Sequence, residues 1–421
     1  MNLKNIFNFK IFFLLYISLL IGLFFNEDFT LGYKVDHFIH LDIINRFDNN
    51  FLHSLINFNN RDMNFTTAHS PFFYIVFLFI KKISFNNDLV FRLINLHISL
   101  LLPYIFYLIL KIKDNIGNDK IKFLLPGLFF ISPYFRSGSL WIGSENISLI
   151  FLFASFYCYL LFLYRKNKNF YLITLNIICL SIASYLRPIY CIFSIYFFLI
   201  LFKELLNINK LFQYILINLI LAFPAFYYVF ILGIDFISLH IAGQQFNISR
   251  FTNQFSIVIS ILFYYSVPFL IFNYNEIIKN ILKIENFLLF VLYSLFLIIF
   301  FNYSIDYGGG IFYRISQFLF SNNYLFIFFS GIGLVYFKIT LFDKFKNNFN
   351  DIILFLTLIF LEIDTTIFHE SYDILIYLIF YIMFTNKHFF EFTNNLNSKK
   401  ITFLYLFSLS YYSLTIIKNF I

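Results

Sequence analysis

Asp36 and His40 stand four residues apart in the stretch Tyr33-Lys34-Val35-Asp36-His37-Phe38-Ile39-His40, just after the first apolar run of the chain. In a helix that spacing puts both side chains on one face. A carboxylate at the edge of an apolar region is poorly hydrated, so its proton affinity rises and it can take a proton from an incoming hydroxyl, with the histidine there to orient it. The competing reading of Asp36 is one more solvated acid in a loop that also holds Glu27, Asp28, Asp42, Asp48 and Asp62. His37 lies off the shared face and reads as structural. His69 precedes Ser70-Pro71, and a proline there starts a helix, so the histidine lies by a helix N-terminus, a place for a phosphate or carboxylate. A solvated loop histidine is the plainer alternative.

Other candidates are spread along the chain. Glu145 opens an apolar run after Ser137-Gly138-Ser139-Leu140-Trp141-Ile142-Gly143, where an acid is costly unless paired or functional. Arg187, between two apolar runs, either grips a lipid phosphate bidentately or snorkels to the interface. Asp235 and His240 share a loop, Arg314 follows Gly308-Gly309-Gly310, and His369-Glu370-Ser371-Tyr372-Asp373 forms a dense polar cluster. The triple glycine is not in the context of a phosphate-binding loop.

The elements that must position these residues are membrane helices. In 421 residues, 60% are hydrophobic and 12% charged, too few charges to cover a water-soluble globule of this size. The expected fold is an all-α polytopic membrane protein, a single transmembrane domain over residues 1–421. A span of roughly 20 apolar residues, fewer where it packs on protein, gives about thirteen transmembrane helices: 7–25, 89–110, 121–135, 145–164, 169–186, 188–202, 211–232, 255–273, 287–303, 323–341, 350–363, 372–386 and 401–417. The first reads as an uncleaved anchor. Residues 72–80 are apolar but short and end at Lys81-Lys82, which predicts an interfacial helix within a non-cytoplasmic loop over 26–88 that carries the proposed site.

Charge supports that topology. With the N-terminus inside, nineteen of the thirty Lys and Arg and eight of the twenty-two acids fall on the cytoplasmic side, leaving the faces at +11 and −3. The net charge of +8 therefore reports topology, and its scatter argues against a nucleic-acid partner. The 69 Phe and 31 Tyr carry no functional weight, because an A+T-rich genome produces them unselected. Cys158, Cys179 and Cys191 lack metal-ligand spacing and read as small buried hydrophobes. Asn64, Asn146, Asn247 and Asn302 begin glycosylation triplets that an Asn-rich chain makes by chance. The compact, A+T-biased chain points to a bacterial inner membrane, with the endoplasmic reticulum membrane as the alternative.

The acid Asp36, the segment His69-Ser70-Pro71-Phe72-Phe73-Tyr74 and the opening Phe91-Arg92-Leu93 resemble the GT-C superfamily of integral-membrane glycosyltransferases. Within it the chain looks most like the α-1,2-glucosyltransferases of lipid-linked oligosaccharides, whose first loop reads Asp-Glu-x-Phe-His and then Thr-Thr before a proline-rich turn. Protein mannosyltransferases and the lipid A aminoarabinose transferase share the layout. The resemblance covers roughly the first 200 residues. It departs where His37 replaces a second acid and Ser70 replaces the first of two prolines. It implies transfer of a sugar from a polyprenyl-phosphate donor to a glycan, lipid or protein acceptor at the bilayer surface, with inversion. Asp36 would be the general base, and His40, His69, Glu145, Arg187, Asp235, His240 and Arg314 would bind donor phosphate or substrate. The sequence leaves the cofactor open: a divalent cation is compatible, and no motif requires one. The rival reading is a transporter or flippase of a lipid-linked or small anionic substrate, which would set polar groups near the membrane midplane on broken, paired helices.

Overall fold

The computed structural model describes residues 3–29, 32–58, 69–113, 119–165, 169–231, 248–304, 308–342, 348–362 and 366–420. Among them every regular element is helical. Two compact units emerge, Met1–Leu239 with Asn397–Ile421, and His240–Leu396. Six helices are long and apolar enough to cross a membrane: Asp88–Ile112, Ser144–Tyr164, Pro188–Leu205, Ile208–Phe226, Ile248–Phe272 and Tyr324–Phe342. The pair Tyr274–Ile281 and Ile284–Phe300, bent by 72°, makes a seventh if it is one span. The chain is thus an all-helical multi-pass membrane protein. Lys10–Phe24, Ile121–Ile131, Phe170–Leu186 and Phe349–Ile359 are apolar but shorter, so helix length supports six or seven spans and not the expected thirteen.

In the first unit, α1 (Leu3–Phe24) leads into α2 (Tyr33–Asn49), α3 (Phe51–Ile56) and α4 (Pro71–Ile83), so the expected loop is itself largely helical. Along α2, Tyr33, His37, His40, Ile44 and Phe47 are buried, one stripe at helical spacing, and Asp36 lies at its edge. Along α4, Phe73, Tyr74, Phe77 and Ile80 are buried in the same rhythm, and Phe47 stacks on Tyr74 with ring centroids 6.1 Å apart. Pro71 at the first helical position costs α4 nothing, because that N–H has no partner within a helix anyway. The apolar cluster between α2 and α4 also takes in Ile142, Ile147 and Leu186, which docks the loop helices onto the ends of α9 (Ser144–Tyr164) and α10 (Phe170–Leu186).

Between these come α5 (Asp88–Ser99) and α6 (Leu101–Ile112), one apolar stretch interrupted at Leu100, where Pro103 has no N–H to offer the Ser99 carbonyl. Residues 119–140 are irregular for a span: α7 (Asp119–Leu124), a 3-10 turn Leu125–Ile131, then α8 (Pro133–Leu140). Here α8 carries Arg136, whose guanidinium grips Glu27 with Nε–Oε1 at 2.5 Å and Nη2–Oε2 at 2.7 Å, and whose Nη1 and Nη2 also donate to the Ser18 hydroxyl and carbonyl. Both side chains are largely buried, and the pair ties the end of α1 to α8.

The second unit gathers around Ile248–Phe272. Asp351 is fully buried there, and its carboxylate accepts from the backbone N–H of Thr385 and Asn386 at 2.8–3.0 Å and from the side chains of both. A buried carboxyl with that many donors is a structural anchor. The cysteines are free, Cys158 buried, Cys179 half-buried and Cys191 on the protein surface, so only Cys158 is the fully buried residue expected of all three.

Replacing Arg136 with Met leaves the Glu27 carboxylate without its counter-charge, at a cost of about 3–5 kcal/mol. The thermal midpoint in detergent is expected to fall, and to recover in part when Glu27→Gln is added; a midpoint unmoved by Arg136→Met would remove this pair from the fold's supports.

Candidate functional site

The site is built around a short corner, Trp141-Ile142-Gly143, where the chain turns from α8 into α9. The Trp141 N–H closes the last turn of α8 on the Ser137 carbonyl at 2.9 Å, but the backbone is then extended at both Trp141 and Gly143, so the groups beyond it have no helical partners, yet they are buried. Side chains from other segments supply the partners. Asn95 Nδ2 lies 3.1, 3.1 and 2.9 Å from the carbonyls of Gly138, Ser139 and Trp141, two protons shared among three acceptors. Arg92 Nε donates to the Leu140 carbonyl at 2.9 Å while its guanidinium lies 3.7 Å over the Trp141 ring. Trp141 Nε1 donates to the Glu27 carbonyl at 2.7 Å.

His37 completes the corner. The Ile142 N–H donates to His37 Nδ1 at 3.3 Å, so the imidazole proton sits on Nε2 and donates to Asp88 at 3.0 Å. Burial pushes the His37 pKa down, more than the neighbouring Asp88 pulls it up. The ring is a neutral structural link between α2, α5 and the corner, as its position off the Asp36 face suggested.

With α2 pinned to the corner, Asp36 lies beside Glu145, in the first turn of α9. The Asp36 carboxyl is pushed up from 3.8 to about 6, first by the protein that crowds it, then by the negative charges of Glu145 and Asp28. Its residue is still exposed, so the carboxyl is at a rim that solvent reaches. Asp28 Oδ2 also accepts the Lys34 N–H at 2.9 Å, capping an orphan donor of α2. Glu145 Oε1 meets Arg187 Nη1 at 3.1 Å, with side chains only 13% and 11% exposed. Arg187 occupies the break between α10 and the turn that starts at Pro188, where the backbone is extended and the side chain is free of the helix.

Two histidines line the other flank. The rings of His40 and His69 are 5.0 Å apart, and His69 stacks on Phe73. His40 shares a hydrogen bond with the Tyr74 hydroxyl at 3.3 Å and not with Asp36, so it does not orient that acid as their spacing suggested. Burial, reinforced by His69, lowers its pKa to about 3, and His40 is uncharged at neutral pH.

Five expected site residues, Asp36, His40, His69, Glu145 and Arg187, therefore fall into one neighbourhood. Arg314 belongs to the second unit, where its Nε donates to the Gly308 carbonyl at 2.7 Å. Gly308, Gly309 and Gly310 there have φ of +84°, +82° and +76°, which accounts for three glycines in a row by conformation alone. Asp235 and His240 lie outside the described residues. In the polar cluster near 370, the Tyr265 hydroxyl bridges His369 and Asp373, and Glu362 accepts from Ser371 and the Phe368 N–H. Among the described residues no three His, Cys, Asp or Glu converge to hold a metal ion. Asn146 is buried and bonded to Ser139 and the Phe135 carbonyl, so its triplet is structural.

Sequence reading missed Glu27, Asn95, Arg136 and Trp141. Their common signal is a polar or amphipathic residue beside an apolar run, which asks for a partner without saying where it is.

No protein-family model, curated protein or solved structure matches the chain. The site must be read from its own chemistry. That chemistry is a surface carboxylate of raised proton affinity, a largely buried carboxylate–guanidinium pair and two imidazoles in edge-to-face contact, a set suited to moving a proton next to a bound anion.

Gly143 is where the packing is least forgiving. A Cβ there would lie 2.4 Å from Glu145 Oε2 and 2.8 Å from the Tyr33 ring. Gly143→Ala is expected to displace both, at about 1–3 kcal/mol of stability, and the Asp36 pKa should fall toward the usual carboxylate range as Glu145 moves off. Calorimetry and a pH titration of the Asp36 carboxyl check the two effects; neither changing would contradict the crowding.

Proposed function

We propose that the chain is a glycosyltransferase of the GT-C type that moves a sugar from a polyprenyl-phosphate donor to an acceptor hydroxyl at the non-cytoplasmic surface, in a bacterial inner membrane. The seven long spans, the four shorter apolar helices and the apolar runs 372–386 and 401–417 would together make the thirteen-span topology around it. The observation that carries the reading is the Asp36 carboxyl, raised to about 6 at an exposed rim beside the Glu145–Arg187 pair. A base of that strength is ionised at neutral pH and still holds a proton well enough to help a hydroxyl attack.

The residues divide the work as follows. Arg187 holds the donor phosphate, with His69 alongside at the start of α4. The acceptor oxygen attacks the anomeric carbon from the face opposite the phosphate, and a new carbon–oxygen bond forms as the bond to the phosphate oxygen breaks. The electron pair leaves with the polyprenyl phosphate, the hydroxyl proton passes to the Asp36 carboxylate, and the anomeric centre inverts. His40, uncharged and bonded to Tyr74, packs the floor beneath.

Asp36 works only in its ionised form, so transfer is expected to rise as pH climbs through about 6 and to level off above it. Asp36→Asn should fold, insert and bind donor, and should lose about 10²–10⁴-fold in rate. Membranes carrying wild type or Asp36→Asn, given a panel of radiolabelled polyprenyl-phosphate sugars, test this; undiminished transfer by the variant would exclude Asp36 as the base.

A further inference from the structure

Glu145 faces two ways. Its Oε1 is 3.1 Å from Arg187 Nη1, while Oε2 and the Tyr33 ring, one turn before Asp36 on α2, both crowd the space a side chain at Gly143 would need. The carboxylate is thus shared between the guanidinium that would take a phosphate and the acid that would take a proton. Resting on the transferase reading of the site, we propose that the donor arms its own base: the donor phosphate displaces Glu145 from Arg187, and the released carboxylate strengthens Asp36 further once a donor is in place.

Three features make the exchange feasible. A phosphate group presents several charged oxygens to a planar guanidinium and competes well against a carboxylate. Glu145 does not lose all compensation on release, because it sits in the first turn of α9, where the N-terminal N–H groups favour a negative charge. Arg187 can turn toward the bilayer surface because its backbone lies in the break after α10. The other charged groups at the site are fixed: Asp28 is held by the Lys34 N–H, His37 is committed to Asp88 and Ile142, and His40 is uncharged. Lys34 itself lies on the same turn of α2 and within 5.9 Å of the Trp141 ring, and His69 stacks on Phe73. Glu145 is therefore the one acid next to Asp36 whose counter-charge a donor can remove. It acts as a positioning residue, not a catalytic one.

A balance of charge gives opposite signs for the two partners. With Glu145→Gln, Arg187 is left positive and the Asp36 midpoint should fall by about one pH unit. With Arg187→Gln, Glu145 is left negative and the midpoint should rise by about as much, with no donor present. The carboxyl stretch of Asp36, assigned by subtraction of the Asp36→Asn spectrum and titrated by infrared spectroscopy in nanodiscs, reads both.

Adding a polyprenyl monophosphate should raise the wild-type midpoint, leave Arg187→Gln unmoved, and still act on Arg187→Lys, which keeps the charge. Circular dichroism on each variant separates these shifts from unfolding. Inorganic phosphate, run alongside, sorts the source: a response to both supports a phosphate gate open to any such anion, and a response to the lipid form alone supports one that needs the isoprenoid chain. A wild-type midpoint unmoved by polyprenyl phosphate, or shifts of the same sign in Glu145→Gln and Arg187→Gln, would overturn the gate. Sugar transfer with an unmoved Asp36 band would remove the gate and leave the transferase; a moved band in a protein that transfers no sugar would keep the phosphate gate and remove the transferase.

Discussion

The structure around the site depends on one constraint: at residues 138–143 the last carbonyls of α8 and the extended corner after it are buried where little water can reach them, so they must find protein partners. A helix would have satisfied them internally. The corner cannot, and it borrows Asn95, Arg92 and His37 from segments far away in sequence. Each loan fixes a helix: His37 sets the rotation of α2, Arg92 and Asn95 set the height of α5, and the apolar cluster from Ile43 to Leu186 closes the gaps between them. Asp36 reaches Glu145 because His37, the next residue, is held against Ile142.

The same economy governs the charges. Glu27 and Arg136 form a fork of two short hydrogen bonds and carry no obvious chemistry; they neutralise each other where neither is well hydrated. Glu145 and Arg187 are also paired, and Glu145 lies next to a third acid whose proton affinity its charge raises. Burial of similar depth thus gives a strut in one place and, in the other, a pair set beside an acid of raised proton affinity.

Much of the helical layout was legible from apolar runs alone. The stretches 89–110, 145–164, 188–202, 211–232, 255–273 and 323–341 each coincide with a helix long enough to cross, because a run of that length has few other ways to satisfy its backbone. Residues 121–135 are as apolar as a span, but Pro126, Gly127 and Pro133 break them into a short helix, a 3-10 turn and the start of α8, so no helix there reaches spanning length. At the site, the i, i+4 relation of Asp36 and His40 held as geometry and failed as chemistry, since helical spacing says which face a ring is on and not which hydroxyl it will meet. Glu145 and Arg187 were each legible as charges in need of a partner. That they are partners of one another was not, because forty-two residues separate them and no local pattern encodes a contact at that distance.

The corner also dictates an order of assembly. The hydrogen bonds from Arg92 and Asn95 reach forward 43 to 48 residues, to carbonyls that leave the ribosome well after the helix bearing those side chains. For that interval an arginine and an asparagine ride at the end of an apolar helix with none of their final acceptors yet made, and water or lipid headgroups must stand in. Residues 88–99 consequently have to wait near the membrane surface until 138–142 arrive, and the loop helices α2 and α4 cannot settle until the corner they grip exists. The first part of the chain to emerge is among the last to take its final place.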